Sequence, residues 1–151
     1  MKISGLQHVD ASCEAIWPFV FEPDALLRLV PGCDHVEEVA PGQFRATLTL
    51  RVPALAGSYE ILINVVENPA PRFCRLAGSA RGPAGGVRGE GTFMLAPDGQ
   101  KTVIAYDGEA QLTGPLGAMH PRFAEGVAQT LIQQGLNTLA ELARARQESP
   151  S

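Results

Sequence analysis

The chain has 151 residues, of which 19% are charged against a usual value of about 25%, and its 16 acidic and 12 basic side chains leave a net charge of −4 at pH 7. One domain of this length buries roughly 70% of its unfolded surface without disulfide or metal staples. The acidic balance argues against a nucleic-acid partner, and no apolar run approaches the ~18 residues of a membrane-spanning helix.

Met1 to Val9 alternates weakly and reads as a strand ending at Asp10. Ser12 then offers an N-cap oxygen ahead of Glu14, Ala15, Ile16, Phe19 and Val20, which have helical spacing interrupted by Pro18. A second short helix is predicted from Pro23-Asp24 through Val30, stopped by a turn at Pro31-Gly32. From Phe44 the period changes to two, with Phe44, Ala46, Leu48, Leu50 and Val52 on one face of a half-buried antiparallel strand. Further strands are predicted around Tyr59–Val65, Cys74–Ala80, Val87–Leu95 and Ile104–Leu112. They are separated by turns at Pro69-Ala70-Pro71, Gly82 to Gly86 and Pro97 to Gln100. Gly114-Pro115 opens a long amphipathic element in which Leu116, Met119, Phe123, Val127, Leu131, Leu136, Leu139 and Ala143 recur at helical steps, with Pro121 as a bend or as the true first turn. Residues 147–151 read as a disordered tail behind a single domain, 1–146.

This order predicts an α+β fold: a curved antiparallel sheet of about six to seven strands, two short helices after the first strand, and a long C-terminal helix across the concave face. Glycine and proline together supply 28 residues, about 19% where roughly 12% is average. Part of the glycine sits in turns, but Gly78, Gly89, Gly91 and Gly108 fall on the inward alternation. Such positions either serve sheet curvature and bulges or leave a cavity against the helix. The second account predicts an apolar ligand cavity lined by Leu48, Tyr59, Ile61, Ile63, Leu76, Phe93, Tyr106, Gly108, Phe123, Val127 and Leu131, with the two tyrosine hydroxyls as its polar groups.

No motif signals catalysis. The run Gly82 to Gly91 lacks a Gly-Lys-Ser/Thr and opens a strand, so it reads as a hairpin and not as a phosphate loop. His8, His35 and His120 have no metal-ligand spacing, although His120 falls beside the inferred cavity mouth. Cys13, Cys33 and Cys74 form no paired framework and suit a reducing compartment. Cys74 on the inward face reads as a small hydrophobe. Asp107 and Glu109 read as solvated strand positions, and Arg45, Arg51, Arg72, Arg75, Arg81 and Arg88 as exposed sheet surface. No catalytic residue, metal or cofactor is expected.

Met1 to Gly5, Ile16-Trp17 with Pro23-Asp24, Pro31-Gly32-Cys33 before Glu37-Glu38, Gly82 to Gly91, Leu112 to Gly117 and Gly126-Val127-Ala128 occur in an order and spacing that resemble the carbon monoxide dehydrogenase G-subunit (CoxG) family, within the START-like helix-grip superfamily. The similarity runs to about Ala145. It implies a hydrophobic-ligand-binding fold and an accessory role beside a molybdenum-containing carbon monoxide dehydrogenase, including placement of that enzyme at the membrane. The polar ending Arg144 to Ser151 replaces the hydrophobic C-terminal extension of some family members, so the expectation is a cytoplasmic protein, peripheral at the inner membrane at most. The expected guest is a lipophilic small molecule such as an isoprenoid quinone. Two other readings follow from the same superfamily and surface: a cyclase or dehydratase resting on Tyr59, Tyr106 and His120, and a protein-docking role for the sheet face or for residues 23–30.

Overall fold

The computed structural model describes residues 1–67 and 72–148; the expected turn at Pro69-Ala70-Pro71 and the last three residues lie outside them. Among the described residues, seven antiparallel strands form one sheet in the order β1-β7-β6-β5-β4-β3-β2. In chain order they are β1 (Lys2–Val9), β2 (Cys33–Ala40), β3 (Gln43–Leu50), β4 (Gly57–Glu67), β5 (Phe73–Gly82), β6 (Gly85–Asp98) and β7 (Lys101–Thr113). Three α-helices accompany them: α1 (Cys13–Ile16), α2 (Pro23–Leu29) and α3 (Pro121–Glu148). The expected helix-grip layout is the one observed.

Local chemistry explains most of the boundaries. The Ser12 hydroxyl accepts the Ala15 N–H at 3.2 Å and so caps α1. Pro18 cannot donate to the next helical turn, and the chain tightens into a 3₁₀ turn over Trp17–Val20. Gly32 adopts φ of 77°, the left-handed turn conformation that stops the segment after α2. Pro121 is the first residue of α3, so Leu116 and Met119 belong to the lead-in, where Gly114–Ala118 forms a 3₁₀ turn. The helix continues through Glu148, two residues into the segment expected as tail.

Strand β2 is the element that alternation missed. Its sequence carries Asp34, His35, Glu37 and Glu38, and register shifts between Cys33 and His35 and between Glu38 and Ala40 break the period of two. It is a sheet edge, where charge and bulges discourage pairing with another chain. At the end of β3 the structure shortens the expectation, because Pro53 opens a 3₁₀ turn and Val52 falls outside the strand.

Two hydrophobic clusters close the ends of the space between sheet and helix. One unites Val9, Ile16, Phe19, Leu95, Ile104 and Leu139; the other unites Leu48, Leu55, Tyr59, Ala84 and Leu116. Within the first, Thr102 is 1% exposed and its hydroxyl donates to the Ala11 carbonyl at 2.8 Å. Thr102→Val keeps the shape and strands that buried carbonyl without its donor, so we expect a loss of about 1–3 kcal/mol in urea unfolding. A loss below a few tenths would mean that the bond contributes nothing net.

Candidate functional site

Along β6 the inward side chains run from Leu95 and Phe93 through Gly91 and Gly89 to Val87. Along β7 they run from Ile104 and Tyr106 through Gly108 and Ala110 to Leu112. Large residues at both ends feed the two clusters, and the middle has almost no side-chain volume. In the ladder Gly91 faces Gly108 directly, and Gly78 of β5 faces Gly89. A Cβ added at any of these four positions would have atoms of neighbouring strands, and none of α3, as its nearest contacts. The space they leave is a cavity of about 590 Å³ between sheet and helix.

The sheet supplies Ile63, Leu76, Phe93 and Tyr106 around that glycine band, and α3 supplies Leu131, Ile132, Leu136 and Leu139 opposite. A third wall comes from the segment between β1 and β2: Ile16, Val20, Leu26, Leu29, Val30 and Pro31 all line the cavity. Sequence reasoning left this wall out of the candidate site. The sequence carries a signal for it, since Leu26, Leu29 and Val30 repeat at three- and four-residue steps behind Pro23, in a segment whose expected role is docking on another protein. The wall lies hard against α3, where a Cβ on Gly135 would come within 2.8 Å of the Leu29 carbonyl oxygen.

Of the eleven residues expected to line the cavity, Ile63, Leu76, Phe93, Tyr106, Gly108 and Leu131 do so. The other five lie elsewhere. Leu48 and Tyr59 are buried in the second cluster, with Ile61 and Val127 packed against it. Phe123 and Val127 line a separate groove outside the cavity, and Phe123 is 45% exposed. The reason is positional: all five sit toward the end of the sheet that the second cluster fills, while the glycines hollow out only the centre.

The two tyrosines have different surroundings. Tyr59 lies over Gly82 on the neighbouring strand and donates its hydroxyl to the Leu55 carbonyl at 2.7 Å, so both its ring and its polar atom are occupied within the cluster. Tyr106 lies over Gly5 of β1, lines the cavity, and has its hydroxyl 3.4 Å from Gln129 Oε1 on α3. His120 is exposed, accepts the Arg122 N–H at Nδ1 and does not line the cavity.

Cys74 is fully buried, and burial pushes its thiol up to about 11, whereas Cys33 is partly exposed with a smaller upward shift from burial and from the Asp34 charge. A thiol held above its ordinary range stays protonated and unreactive at neutral pH. We therefore expect Ellman's reagent at pH 8 to modify Cys33 slowly and Cys74 only after unfolding; prompt modification of Cys74 in the native protein would contradict this placement. The folded chain keeps that proton to about pH 11 while an unfolded chain releases it near 9.0, so Cys74 makes stability fall as pH rises through that interval.

Among the described residues, no group of three or more His, Cys, Asp or Glu is placed to hold a metal, and no helix is long and apolar enough to cross a membrane. The family described as the carbon monoxide dehydrogenase G-subunit (CoxG) matches residues 5–143. No curated protein matches significantly. A conserved protein from Geobacillus kaustophilus is 24% identical, with a TM-score of 0.93 and 97% of each chain covered. A START superfamily protein from Mycobacterium smegmatis is 18% identical, with a TM-score of 0.73, covering 98% of this chain and 99% of that one. The Zhui aromatase/cyclase from Streptomyces sp. R1128 is 17% identical, with a TM-score of 0.64, covering 97% of this chain and 94% of that one. At these identities the structural likeness is one of fold.

Proposed function

Because the chain belongs to the carbon monoxide dehydrogenase G-subunit (CoxG) family, we propose that it is an accessory protein that holds a lipophilic small molecule, of the isoprenoid-quinone or lipid class, in the cavity between sheet and α3. The enzyme it serves on this reading is a molybdenum-containing hydroxylase of the carbon monoxide dehydrogenase type, with peripheral contact at the inner membrane. One observation carries the proposal: the centre of the sheet is emptied by Gly78, Gly89, Gly91 and Gly108, while both ends of the same strands are filled by core. Glycines serving only curvature have no reason to coincide with a void of about 590 Å³ walled by leucine, isoleucine and phenylalanine.

The test uses Trp17, the single tryptophan, which packs against Phe21 and has its ring centroid 5.9 Å from that of the cavity-lining Phe93. Titration with decylubiquinone is expected to quench its fluorescence saturably, and mass spectrometry of an organic extract of the purified protein to reveal a bound lipophile. Absence of both would sink the proposal. The cyclase reading has a narrower basis, since of Tyr59, Tyr106 and His120 only Tyr106 lines the cavity. Its signature would be turnover of a polyketide-like substrate that vanishes in Tyr106→Phe.

A further inference from the structure

The outer groove beside the cavity has a composition at odds with the rest of the chain. Its apolar floor is formed by Leu50, Val52 and Val127, with the exposed ring of Phe123 beside them. Arg51, just past β3, and Arg122, in the first turn of α3, are its charged members; among the described residues no carboxylate lines it, in a protein of net charge −4. Among the described residues neither guanidinium is in an ion pair, the state of most of the ten arginines, of which Arg45 and Arg146 have a glutamate partner; what sets this pair apart is that both line one groove. Asp34, next to the groove wall, accepts the Thr49 hydroxyl at 2.7 Å. The groove adjoins the cavity directly, because Pro31 and Leu131 line both.

We infer that the groove is a head-group subsite: the guest is an anionic amphiphile whose phosphate or carboxylate rests between Arg51 and Arg122 while its apolar tail passes Pro31 and Leu131 into the cavity. The inference rests on the cavity being a lipophilic site and adds the class of guest. Two unpaired guanidiniums suit a compact oxyanion, for which each offers a planar fork of donors. The apolar floor suits the first carbons of a chain, and the cavity suits the remainder. An anion without a tail gains only two exposed contacts; a tail without an anion leaves those cations unused.

The test compares dodecyl phosphate, dodecanol, decylubiquinone and inorganic phosphate by calorimetry at low salt, each below its aggregation threshold. The wild type is expected to bind dodecyl phosphate roughly tenfold tighter than dodecanol, the scale of two exposed charge contacts, and to lose that preference in Arg51→Gln/Arg122→Gln and in high salt. Decylubiquinone binding is expected to be unchanged in the double variant. A Cβ at Gly126 meets nothing within 4 Å, so Gly126→Leu is expected to occupy the groove and weaken dodecyl phosphate alone, without disturbing the fold. Equal affinity for the phosphate and the alcohol, or a preference that survives the double variant, overturns the inference. Displacement of dodecyl phosphate by millimolar inorganic phosphate also overturns it, reassigning the groove to a free anion. If neither dodecanol nor decylubiquinone binds, the lipophilic reading of the cavity has failed; if both bind with no anionic preference, only the groove has.

Discussion

Gly108→Leu is expected to lower the affinity for decylubiquinone at least about tenfold while the protein remains folded. The expectation depends on where the new side chain goes. At Gly108 an added Cβ would sit 3.3 Å from the Glu90 carbonyl oxygen and 3.7 Å from the Gly91 Cα, a fit that asks the strand to give by a few tenths of an ångström. Beyond the Cβ the leucine enters space that the guest would otherwise fill. Overpacking of an occupied site costs about 1–3 kcal/mol, and each 1.4 kcal/mol is tenfold in affinity. Without guest, the leucine buries apolar surface in an empty cavity, which offsets the strain; stability is expected to change by no more than about 1 kcal/mol. Gly89→Leu and Gly91→Leu are the informative contrasts. There the Cβ would meet backbone oxygens of β7 at 2.7 Å, contacts that no rotamer relieves, so both are expected to unfold at lower urea concentration. Unchanged quinone affinity in a folded Gly108→Leu protein would place the guest elsewhere.

Phe19→Ala is expected to cost about 3–5 kcal/mol, a large part of the 5–15 kcal/mol that a domain of this kind has in hand. Phe19 is 6% exposed, lies in the 3₁₀ turn between α1 and α2, and packs in the cluster that includes Leu139 and Ala143 of α3. The Arg146 guanidinium stands 3.9 Å above its ring and also reaches Glu22 at 3.3 Å. The ring therefore anchors the segment that carries Val20, Leu26, Leu29 and Val30 onto the cavity. Losing it should quicken guest release as well as lower stability. Arg146→Gln separates the two contributions: it keeps the buried ring and removes only the exposed contacts, so its cost is expected to stay near 1 kcal/mol or less. A Phe19→Ala loss below about 1 kcal/mol, or a release rate that does not change, would detach the turn from the role given to it.

Patterning reached the architecture because six of the strands and α3 each bury one face, and a buried face imposes a period that shows in the residues. It did not reach β2, whose charged, bulged edge buries too little to impose one. The cavity's glycines were legible for the same reason as the strands, since they fall on the inward alternation. The extent of the cavity was not. Alternation says which face of a strand a residue occupies and nothing about how far along the strand a neighbouring cluster extends, so Leu48, Tyr59 and Ile61 share a face with Ile63 yet belong to solid core. Tyr59 shows the limit from another side: its hydroxyl partner, Leu55, is in a 3₁₀ turn that no periodicity announces. The wall from α2 shows an apolar repeat at Leu26, Leu29 and Val30, but a repeat confined to a seven-residue helix and its C-cap says that one side is covered and not which element covers it.

If the cavity holds a guest as proposed, the band of opposed glycines on β5, β6 and β7 would also set how the protein adapts to different ones. A wall of backbone has no rotamers, so it cannot re-form around a bulky substituent, whereas the leucines and isoleucines of α2 and α3 can change χ angles at modest cost. One side of such a guest would therefore meet a fixed backbone template and the other a deformable lining. On the proposed function, selectivity for a thin, planar portion of the guest would lie in the strands, and tolerance for variation in chain length or branching in the helices.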